Sequence, residues 1–185
     1  LIEGGPGDDI LIDYTGMDTI FGGDGNDKIY PHIGAGNTGT SGDDYIDGGD
    51  GDDLIYAQNF GMGTVHSTLF GSAGNDTILG GDGNDYIDGG PDKDDIDASS
   101  GRNTIYGGSG DDLIWNDQWS SDTIDGGPGT DTYALRDLDY VIERQGEIVI
   151  VRREQDPYAD PDIDELRNVE FLRYADGTLV SIANR

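Results

Sequence analysis

Carboxylates and glycines recur together along this sequence with a spacing that suits the binding of a hard cation. The nine-residue pattern G-G-x-G-x-D-x-U-x, in which U is a bulky apolar residue, is met completely by residues 4–12, 22–30, 48–56, 80–88, 107–115 and 126–134. Glycines at the first, second and fourth positions permit main-chain conformations that turn carbonyl oxygens inward. The sixth-position aspartate adds a full negative charge. Calcium prefers six to eight such oxygens, so the repeat predicts calcium-binding loops.

The repeat also predicts how the chain folds. Looser copies, which keep an apolar residue at U and Asp or Asn at the sixth position, occupy residues 13–21, 39–47, 71–79, 89–97, 98–106 and 117–125. The last three positions of each repeat read as a short strand with U turned inward, because side chains alternate between the two faces of a strand. Two repeats then make one turn of a flattened coil. Repeats of this period are typical of solenoids, and we expect an all-β parallel β-roll, a β-helix solenoid.

The apolar residues at the U position define the predicted core. They are Leu11, Ile20, Ile29, Ile46, Ile55, Leu69, Ile78, Ile87, Ile96, Ile105, Ile114, Ile124 and Tyr133. One apolar side chain per half-turn is a thin core, and the glycines increase the entropy of the unfolded chain. Stacked carboxylates also repel one another. Because calcium binds only the folded loops, we expect the repeats to fold with calcium and to unfold without it.

Alternate repeats should stack, which places the sixth-position carboxylates on two edges of the roll. We expect residues 31–38 to form an irregular half-turn, residues 57–61 a bulge, and Asn116 a single insertion. On this count, one edge carries Asp9, Asp27 and Asp44. The other edge carries Asp53, Asp76, Asp94, Asp112 and Asp131. Asp85 faces Asn103, and sites near Thr38 and Ser67 should be missing or altered. Adjacent complete loops predict about six to eight ions.

Composition divides the chain near Leu135. Residues 1–134 hold 30 of the 32 glycines and a net charge of −24, whereas residues 135–185 carry −5 of the total −29. The later segment predicts a hairpin around Gly146 and a turn at Asp176 and Gly177. A solenoid needs a non-repeating end that covers its last rung. We therefore expect two parts, a repeat region over residues 1–134 and a C-terminal cap over residues 135–185.

The same bulk properties exclude several functional classes. The chain has no cysteine, so disulfides and thiolate metal sites are absent. A net charge of −29 repels phosphate and opposes nucleic-acid binding. The sequence contains no run of about 18 apolar residues, the length that predicts a membrane-spanning helix. His32 and His66 lie where the repeat slips and have no catalytic partner pattern around them, and calcium ligation accounts for the paired carboxylates. We therefore expect no enzymatic activity in this chain.

These nonapeptides resemble the repeats-in-toxin (RTX) family of secreted bacterial proteins, and the resemblance covers residues 1–134. Residues 166–179, LRNVEFLRYADGTL, also resemble a motif that follows the repeats in many members. The resemblance implies calcium between neighbouring turns and export by type I secretion machinery, with the chain folding outside the cell. Leu1, Ile2 and Glu3 match the end of a preceding repeat, so we expect the chain to belong to a larger secreted protein, a toxin or adhesin among the possibilities.

The resemblance further implies ligands from positions one to six of each repeat, with the fifth position assisting the sixth. The implied metal ligands are Asp9, Gly22, Asp24, Asn26, Asp27, Asp44, Gly48, Asp50, Asp52, Asp53, Asn75, Asp76, Gly80, Asp82, Asn84, Asp85, Asp94, Gly107, Asp111, Asp112, Asp122 and Asp131. Lys93 and Arg102 depart from the pattern at the fifth position, and Asp92 replaces the fourth glycine.

Two other functional readings remain open at this point. The chain could be an extracellular interaction module that binds a polysaccharide or ice, or an accessory module of a secreted hydrolase or epimerase. Trp115, Trp119 and Tyr106 could form a sugar-stacking patch or pack against the C-terminal cap. Ice binding calls for a regular threonine column, whereas the residue before U varies from repeat to repeat.

Overall fold

The chain folds as two facing sheets of short strands wound into one coil. The computed structural model describes residues 1–14, 16–31, 42–57, 65–115, 121–136, 140–153 and 163–182. All regular elements within these ranges are β-strands. None of these residues forms a helix long and apolar enough to cross a bilayer.

The first sheet collects one strand from each turn. Its parallel strands are β1 (Ile2–Pro6), β3 (Thr19–Asp24), β5 (Tyr45–Asp50), β7 (Thr68–Ala73), β9 (Tyr86–Pro91), β11 (Thr104–Ser109), β13 (Thr123–Asp125) and β17 (Ile163–Arg167). Two antiparallel strands complete it, β16 (Ile148–Arg153) and β15 (Tyr140–Gln145).

The second sheet collects the opposite side of each turn. Its parallel strands are β2 (Ile10–Ile12), β4 (Lys28–Tyr30), β6 (Leu54–Tyr56), β8 (Thr77–Leu79), β10 (Asp95–Asp97), β12 (Leu113–Trp115), β14 (Thr132–Ala134) and β18 (Phe171–Arg173). The antiparallel β19 (Leu179–Ser181) ends it. Odd strands up to β13 pair only with odd strands, and even strands up to β14 only with even ones. The predicted parallel β-roll is confirmed.

The core is a single column of side chains between the two sheets. All thirteen predicted U residues are buried, from Leu11 to Tyr133. They stand in register, as where Ile20 pairs with Ile46 and Ile46 pairs with Leu69. Each therefore packs on the equivalent side chain of the next turn, and the prediction of the core is confirmed.

The prediction that residues 31–38 add a half-turn to the roll is wrong. Residues 32–41 lie outside the described residues, but the strands on either side settle the register. β3 pairs directly with β5, and the main-chain N–H of Asp18 donates to Oδ1 of Asp44 at 2.9 Å. Asp44 therefore stacks on Asp18 and not on Asp27. β4 and β5 lie in opposite sheets, so the described strands leave no additional half-turn between Tyr30 and Tyr45.

The other two slips leave the order of turns as expected. β5 pairs with β7 and β6 with β8, which places five additional residues between Tyr56 and Thr68 without another turn. Residues 58–64 and Asn116 themselves lie outside the described residues. The strands around Asn116 keep their pairing, since β11 pairs with β13 and β12 with β14.

The C-terminal segment, residues 135–185, contributes strands to both sheets. β17 and β18 add one parallel strand each, so Leu166 and Leu172 extend the buried column beyond Tyr133. A hairpin precedes these two strands and another follows them: β15 and β16 are joined around Gly146 at φ 69°, and β18 and β19 are joined near Gly177 at φ 85°. Both predicted turns are confirmed.

Candidate metal centre

The sixth-position side chains form two columns, one on each edge of the roll. The edge that leads from the first sheet to the second, called here the aspartate edge, carries Asp9, Asp27, Asp53, Asp76, Asp94, Asp112 and Asp131. The opposite edge, called the mixed edge, carries Asp18, Asp44, Ser67, Asp85, Asn103 and Asp122. The predicted grouping is wrong in two respects: Asp44 lies with Asp18 and not with Asp9 and Asp27, and Asp9 and Asp27 share the edge of Asp53. The cause is that no additional half-turn separates β4 from β5.

Each carboxylate on the aspartate edge holds the preceding rung through one oxygen. The N–H of Asp27 donates to Oδ1 of Asp53 at 2.7 Å, and the N–H of Asp53 donates to Oδ1 of Asp76 at 2.8 Å. Oδ1 of Asp112 accepts the N–H of Asp94, and the N–H of Asp112 donates to Oδ1 of Asp131, both at 2.9 Å. These hydrogen bonds set the carboxylates at one height per rung, and they leave the second oxygen of each group for another partner.

The second oxygens are buried and have no hydrogen-bond partner. This holds for Oδ2 of Asp9, Asp27, Asp53, Asp76, Asp85, Asp94, Asp112 and Asp131. A buried acceptor without a partner costs about 1–3 kcal/mol, and more when it is charged. Repetition of the same orphaned atom on every rung of the aspartate edge indicates a ligand common to all of them.

A main-chain carbonyl from the next rung points to the same place as each orphaned oxygen. A Cβ added to Gly107 would lie 2.6 Å from Oδ2 of Asp112 and 2.6 Å from the carbonyl oxygen of Gly126. The same pair of contacts recurs at each first-position glycine of this edge: Gly4, Gly22, Gly48, Gly71, Gly89, Gly107 and Gly126. Glycine is required here because any side chain would fill the space between the two oxygens.

Burial raises the pKa of five carboxyl groups on this edge, and nearby carboxylates raise it further: Asp53, Asp76, Asp94, Asp112 and Asp131. The pKa of Asp53 and of Asp131 rises to about 7, and that of Asp94 to about 8. Hydrogen bonds from main-chain N–H groups act in the opposite direction and do not cancel the effect of burial. A divalent cation among these oxygens would offset both burial and mutual repulsion and hold the groups ionised.

The donor set fits calcium better than a transition metal. Among the described residues, no three side chains of His, Cys, Asp or Glu converge on one point. The oxygens that do converge are one carboxylate and main-chain carbonyls, and calcium accepts such mixed sets. Zinc sites instead gather nitrogen or sulfur ligands in a tetrahedron. Of the predicted glycine ligands, Gly22, Gly48 and Gly107 present their carbonyls on the aspartate edge, while the space beside Gly80 is shared by Asp85 and the Ala98 carbonyl on the mixed edge.

The third-position carboxylates lie apart from the orphaned oxygens. The side chains of Asp24, Asp50 and Asp82 are exposed. Their main-chain carbonyls instead accept N–H groups from the preceding turn, as Asp24 does from Gly7 at 2.6 Å. Calcium ligation by these three side chains therefore stays a prediction that the geometry does not favour.

The fifth-position side chains link rungs in the direction opposite to the sixth. Oδ1 of Asn26 accepts the N–H of Asp52 at 3.0 Å, and Oδ1 of Asp52 accepts that of Asn75 at 2.7 Å. In the same way, Oδ1 of Asn84 accepts the main-chain N–H of Arg102, and Oδ1 of Asp111 accepts that of Thr130. Lys93 interrupts this row on the aspartate edge and Arg102 interrupts the corresponding row on the mixed edge, because cationic side chains offer no acceptor.

The mixed edge has fewer carboxylates and finds other partners. Ser67 and Asn103 carry no charge, and His66 stands in the fifth position, where its Nδ1 accepts the N–H of Asn84 at 2.7 Å. At the end of this edge, Asp164 of the C-terminal segment accepts the N–H of Asp122 at 3.0 Å and the hydroxyl of Tyr133 at 2.6 Å. His32 lies outside the described residues.

The fold brings to these edges several residues that the repeat pattern does not predict. The carbonyls of Gly71, Gly89 and Gly126 take the same place as the predicted glycines. Asp164 and Glu170 continue the two acidic columns beyond the last repeat. The available signal was an acidic residue two places before a buried leucine, which recurs as Asp164 to Leu166 and Glu170 to Leu172.

The aromatic residues that were singled out divide between two environments. The guanidinium of Arg173 lies 4.5 Å from the ring centroid of Trp115, and the indole N–H donates to Asp95 at 2.6 Å. Trp115 therefore packs against the C-terminal segment, one of the two expectations. Tyr106 instead packs against Tyr86, with 5.6 Å between the ring centroids. Trp119 lies outside the described residues.

Comparison with known proteins supports the interpretation of the repeats. A family model described as RTX calcium-binding nonapeptide repeat matches residues 3–37, 38–59, 66–96, 88–118 and 119–134. A search of curated proteins finds no match to the chain.

The raised pKa values predict how pH affects the calcium-free fold. A carboxyl group whose pKa is higher in the folded than in the unfolded state stabilises the fold fully below its unfolded pKa of about 4, and that contribution is lost as pH rises through the folded pKa. Since those values lie near 7 for Asp53 and near 8 for Asp94, the calcium-free protein should show more β-structure by circular dichroism near pH 5 than near pH 8. Asp94→Asn should weaken this dependence and the exposed Asp82→Asn should not; equal curves for all three proteins would contradict the assignment.

The space beside the first-position glycines gives a steric prediction. Gly107→Ala places a methyl group between Oδ2 of Asp112 and the Gly126 carbonyl, so the ion at that rung should be lost while its neighbours remain. Calorimetric titration with calcium would measure the number of sites. Gly146→Ala is the matched control, because a Cβ there meets nothing within 4 Å. An unchanged number of sites in Gly107→Ala would show that the ion lies elsewhere.

Proposed function

The chain belongs to the RTX calcium-binding nonapeptide-repeat family, as the resemblance of its repeats indicated, and we propose that it is a calcium-dependent folding module of a larger secreted bacterial protein. Membership implies calcium binding by a β-roll. The finer proposal is that calcium decides whether the repeats are folded. It is carried by the buried, unpartnered Oδ2 atoms on every rung of the aspartate edge.

The physical basis is the balance of charge along that edge. Seven carboxylates stand one above another, and the pKa of those with resolved shifts is raised first by burial and then by nearby carboxylates. Without a cation the folded column must either take up protons or hold repelling buried charges. Calcium removes this cost in the folded state and finds no preformed loop in the unfolded chain, so binding stabilises the fold by mass action.

This behaviour suits a protein that is exported unfolded and functions outside the cell. Extracellular calcium modules bind at about 10⁻⁴–10⁻³ M, so such a chain stays unfolded at low cytosolic calcium. Passage through the type I secretion machinery would then precede folding, and the repeats would stabilise the exported protein at its extracellular or cell-surface location. The absence of cysteine is compatible with this route, since cations replace disulfides as links between turns.

The number of ions follows from the geometry of the edges. Six rungs of the aspartate edge, those of Asp9, Asp27, Asp53, Asp76, Asp94 and Asp112, combine an orphaned oxygen with a glycine carbonyl from the next repeat. Asp85 and the Ala98 carbonyl offer a further place on the mixed edge. The proposal is therefore about six to eight calcium ions, most of them on one edge. No catalytic role is proposed, because this chemistry is structural.

Calcium titration is the direct test of the proposal. Circular dichroism of the calcium-free chain at neutral pH should show a coil, and a cooperative change to β-structure should follow the addition of calcium in the millimolar range. Magnesium at the same concentration should have a smaller effect, since it demands a stricter octahedron and dehydrates reluctantly. A folded spectrum that survives complete removal of calcium would refute calcium-dependent folding.

A second candidate function is supported by a row of rings on the outer face of the first sheet. Phe21, Tyr45, Phe70, Tyr86 and Tyr106 stack at centroid distances of 5.9, 5.6, 5.9 and 5.6 Å. Tyr45 and Tyr106 are each 39% exposed. Exposed apolar patches rimmed by polar groups mark ligand-binding surfaces, and Asp47 and Asp88 flank this one. An extended, uncharged polysaccharide lying across the strands would suit it.

Glycan binding can be tested without disturbing the calcium edges. If the row binds polysaccharide, a glycan array probed with calcium-loaded protein should give signals that Tyr45→Ala combined with Tyr86→Ala removes. Tyr30→Ala is the control, because Tyr30 stacks with Tyr56 on the opposite sheet. A blank array, or equal signals from both variants, would leave the rings with a packing role alone.

A further inference from the structure

The last carboxylate of the aspartate edge meets the C-terminal segment instead of another repeat. Asp131 is 0% exposed, and its Oδ2 has no hydrogen-bond partner. A Cβ added to Gly126 would lie 2.7 Å from this oxygen and would also collide with the carbonyl oxygen of Asn168. Asn168 therefore takes the place that a first-position glycine of the next repeat takes at every earlier rung.

Glu170 completes the same arrangement. Its Oε2 accepts the N–H of Asp131 at 2.8 Å, which is the contact that the next aspartate makes elsewhere on this edge. Strand pairing places it opposite Asp131, since Thr132 pairs with Phe171. Only Val169 separates Asn168 from Glu170, whereas four residues separate Gly126 from Asp131. Glutamate carries its carboxylate one methylene farther from the main chain, and this extra length suits the shorter segment from Asn168 to Glu170, called here the corner.

The position of the Asn168 carbonyl is set by two local features. Asn168 adopts a left-handed conformation with φ 49°, which asparagine tolerates better than most residues. Its side-chain Nδ2 donates to Oδ1 of Asp125 at 2.6 Å, and the N–H of Gly126 donates to the carbonyl of the preceding Arg167 at 3.0 Å. The corner is thus held on both sides against the last repeat.

The junction is also reachable from solvent. A cavity of about 320 Å³ opens beside Asn168 and Glu170 and is lined further by Arg144 and Glu147. Arg144 donates a hydrogen bond to the carbonyl of Ile182 on the same side.

We propose that a hard divalent cation, calcium in the first instance, binds between Oδ2 of Asp131 and the carbonyl oxygen of Asn168, with the Glu170 carboxylate as the second negative charge. The inference rests on the proposed function and extends it, because Asn168 and Glu170 lie beyond the last segment that the family model matches, residues 119–134. Such an ion ties the C-terminal segment to the repeats. Docking of β17 and β18 then depends on calcium, as the stacking of the repeats does.

Charge-removing substitutions in the full chain test this junction. Glu170→Gln keeps an oxygen acceptor for the N–H of Asp131 and removes the charge, so one ion should be lost or bound about tenfold more weakly. Asp131→Asn keeps the acceptor for Asp112 and should affect the same ion, so the double variant should lose no more than one. Glu165→Gln, an exposed acid on β17, is the matched control. The probe is calcium chloride, with bound ions counted by calorimetry.

Hydrogen exchange supplies a readout for docking. In the parent chain, amides of residues 163–182 should gain protection as calcium is added, and Glu170→Gln should shift that gain to higher calcium while rungs from Asp9 to Asp94 are unchanged. An unchanged ion count and unchanged protection in Glu170→Gln would overturn the inference, as would two ions lost in the double variant. A parent chain that binds no calcium would instead refute the proposed function itself.

Discussion

The structure depends on how stacked carboxylates on one edge of the roll are neutralised. Seven aspartates follow one another on the aspartate edge, each with one buried oxygen without a partner, and the six after Asp9 accept a hydrogen bond from the preceding rung through the other oxygen. Burial raises the pKa of Asp94 and Asp131 among them, so the fold is under electrostatic strain that protons or cations relieve. Everything else about the molecule, including its glycine content and its thin core, is compatible with a coil held together at its edge.

Glycine at the first position and aspartate at the sixth serve one purpose. The glycine leaves an open space in which its own rung's Oδ2 and the next rung's carbonyl oxygen converge. The aspartate fixes the height of that oxygen through its other oxygen atom. The buried apolar side chains from Leu11 to Tyr133 keep the turns in register. Because they are similar on every rung, they cannot by themselves determine which turn packs on which.

The two edges are not equivalent, and the difference has a chemical cause. On the mixed edge, Ser67 and Asn103 interrupt the carboxylates, and the hydroxyl of Tyr133 satisfies Asp164. Neutral side chains replace charge at these two positions, whereas four aspartates remain on that side. Concentrating the acidic groups on the opposite edge, up to the junction with Glu170, makes that edge the one whose occupancy by cations would matter most for the fold.

The sequence by itself determined the period, the inward residues and the oxygen-rich loops, because a nine-residue repeat of glycine, aspartate and an apolar residue encodes local conformation directly. Thirteen core positions could be assigned for this reason. Which carboxylates share an edge was decided by the tertiary structure, since the pairing of β3 with β5 places Asp44 on Asp18 across eight additional residues. The same holds for Asp164, Asn168 and Glu170. They complete the columns through strand pairing over long separations, which no local pattern specifies.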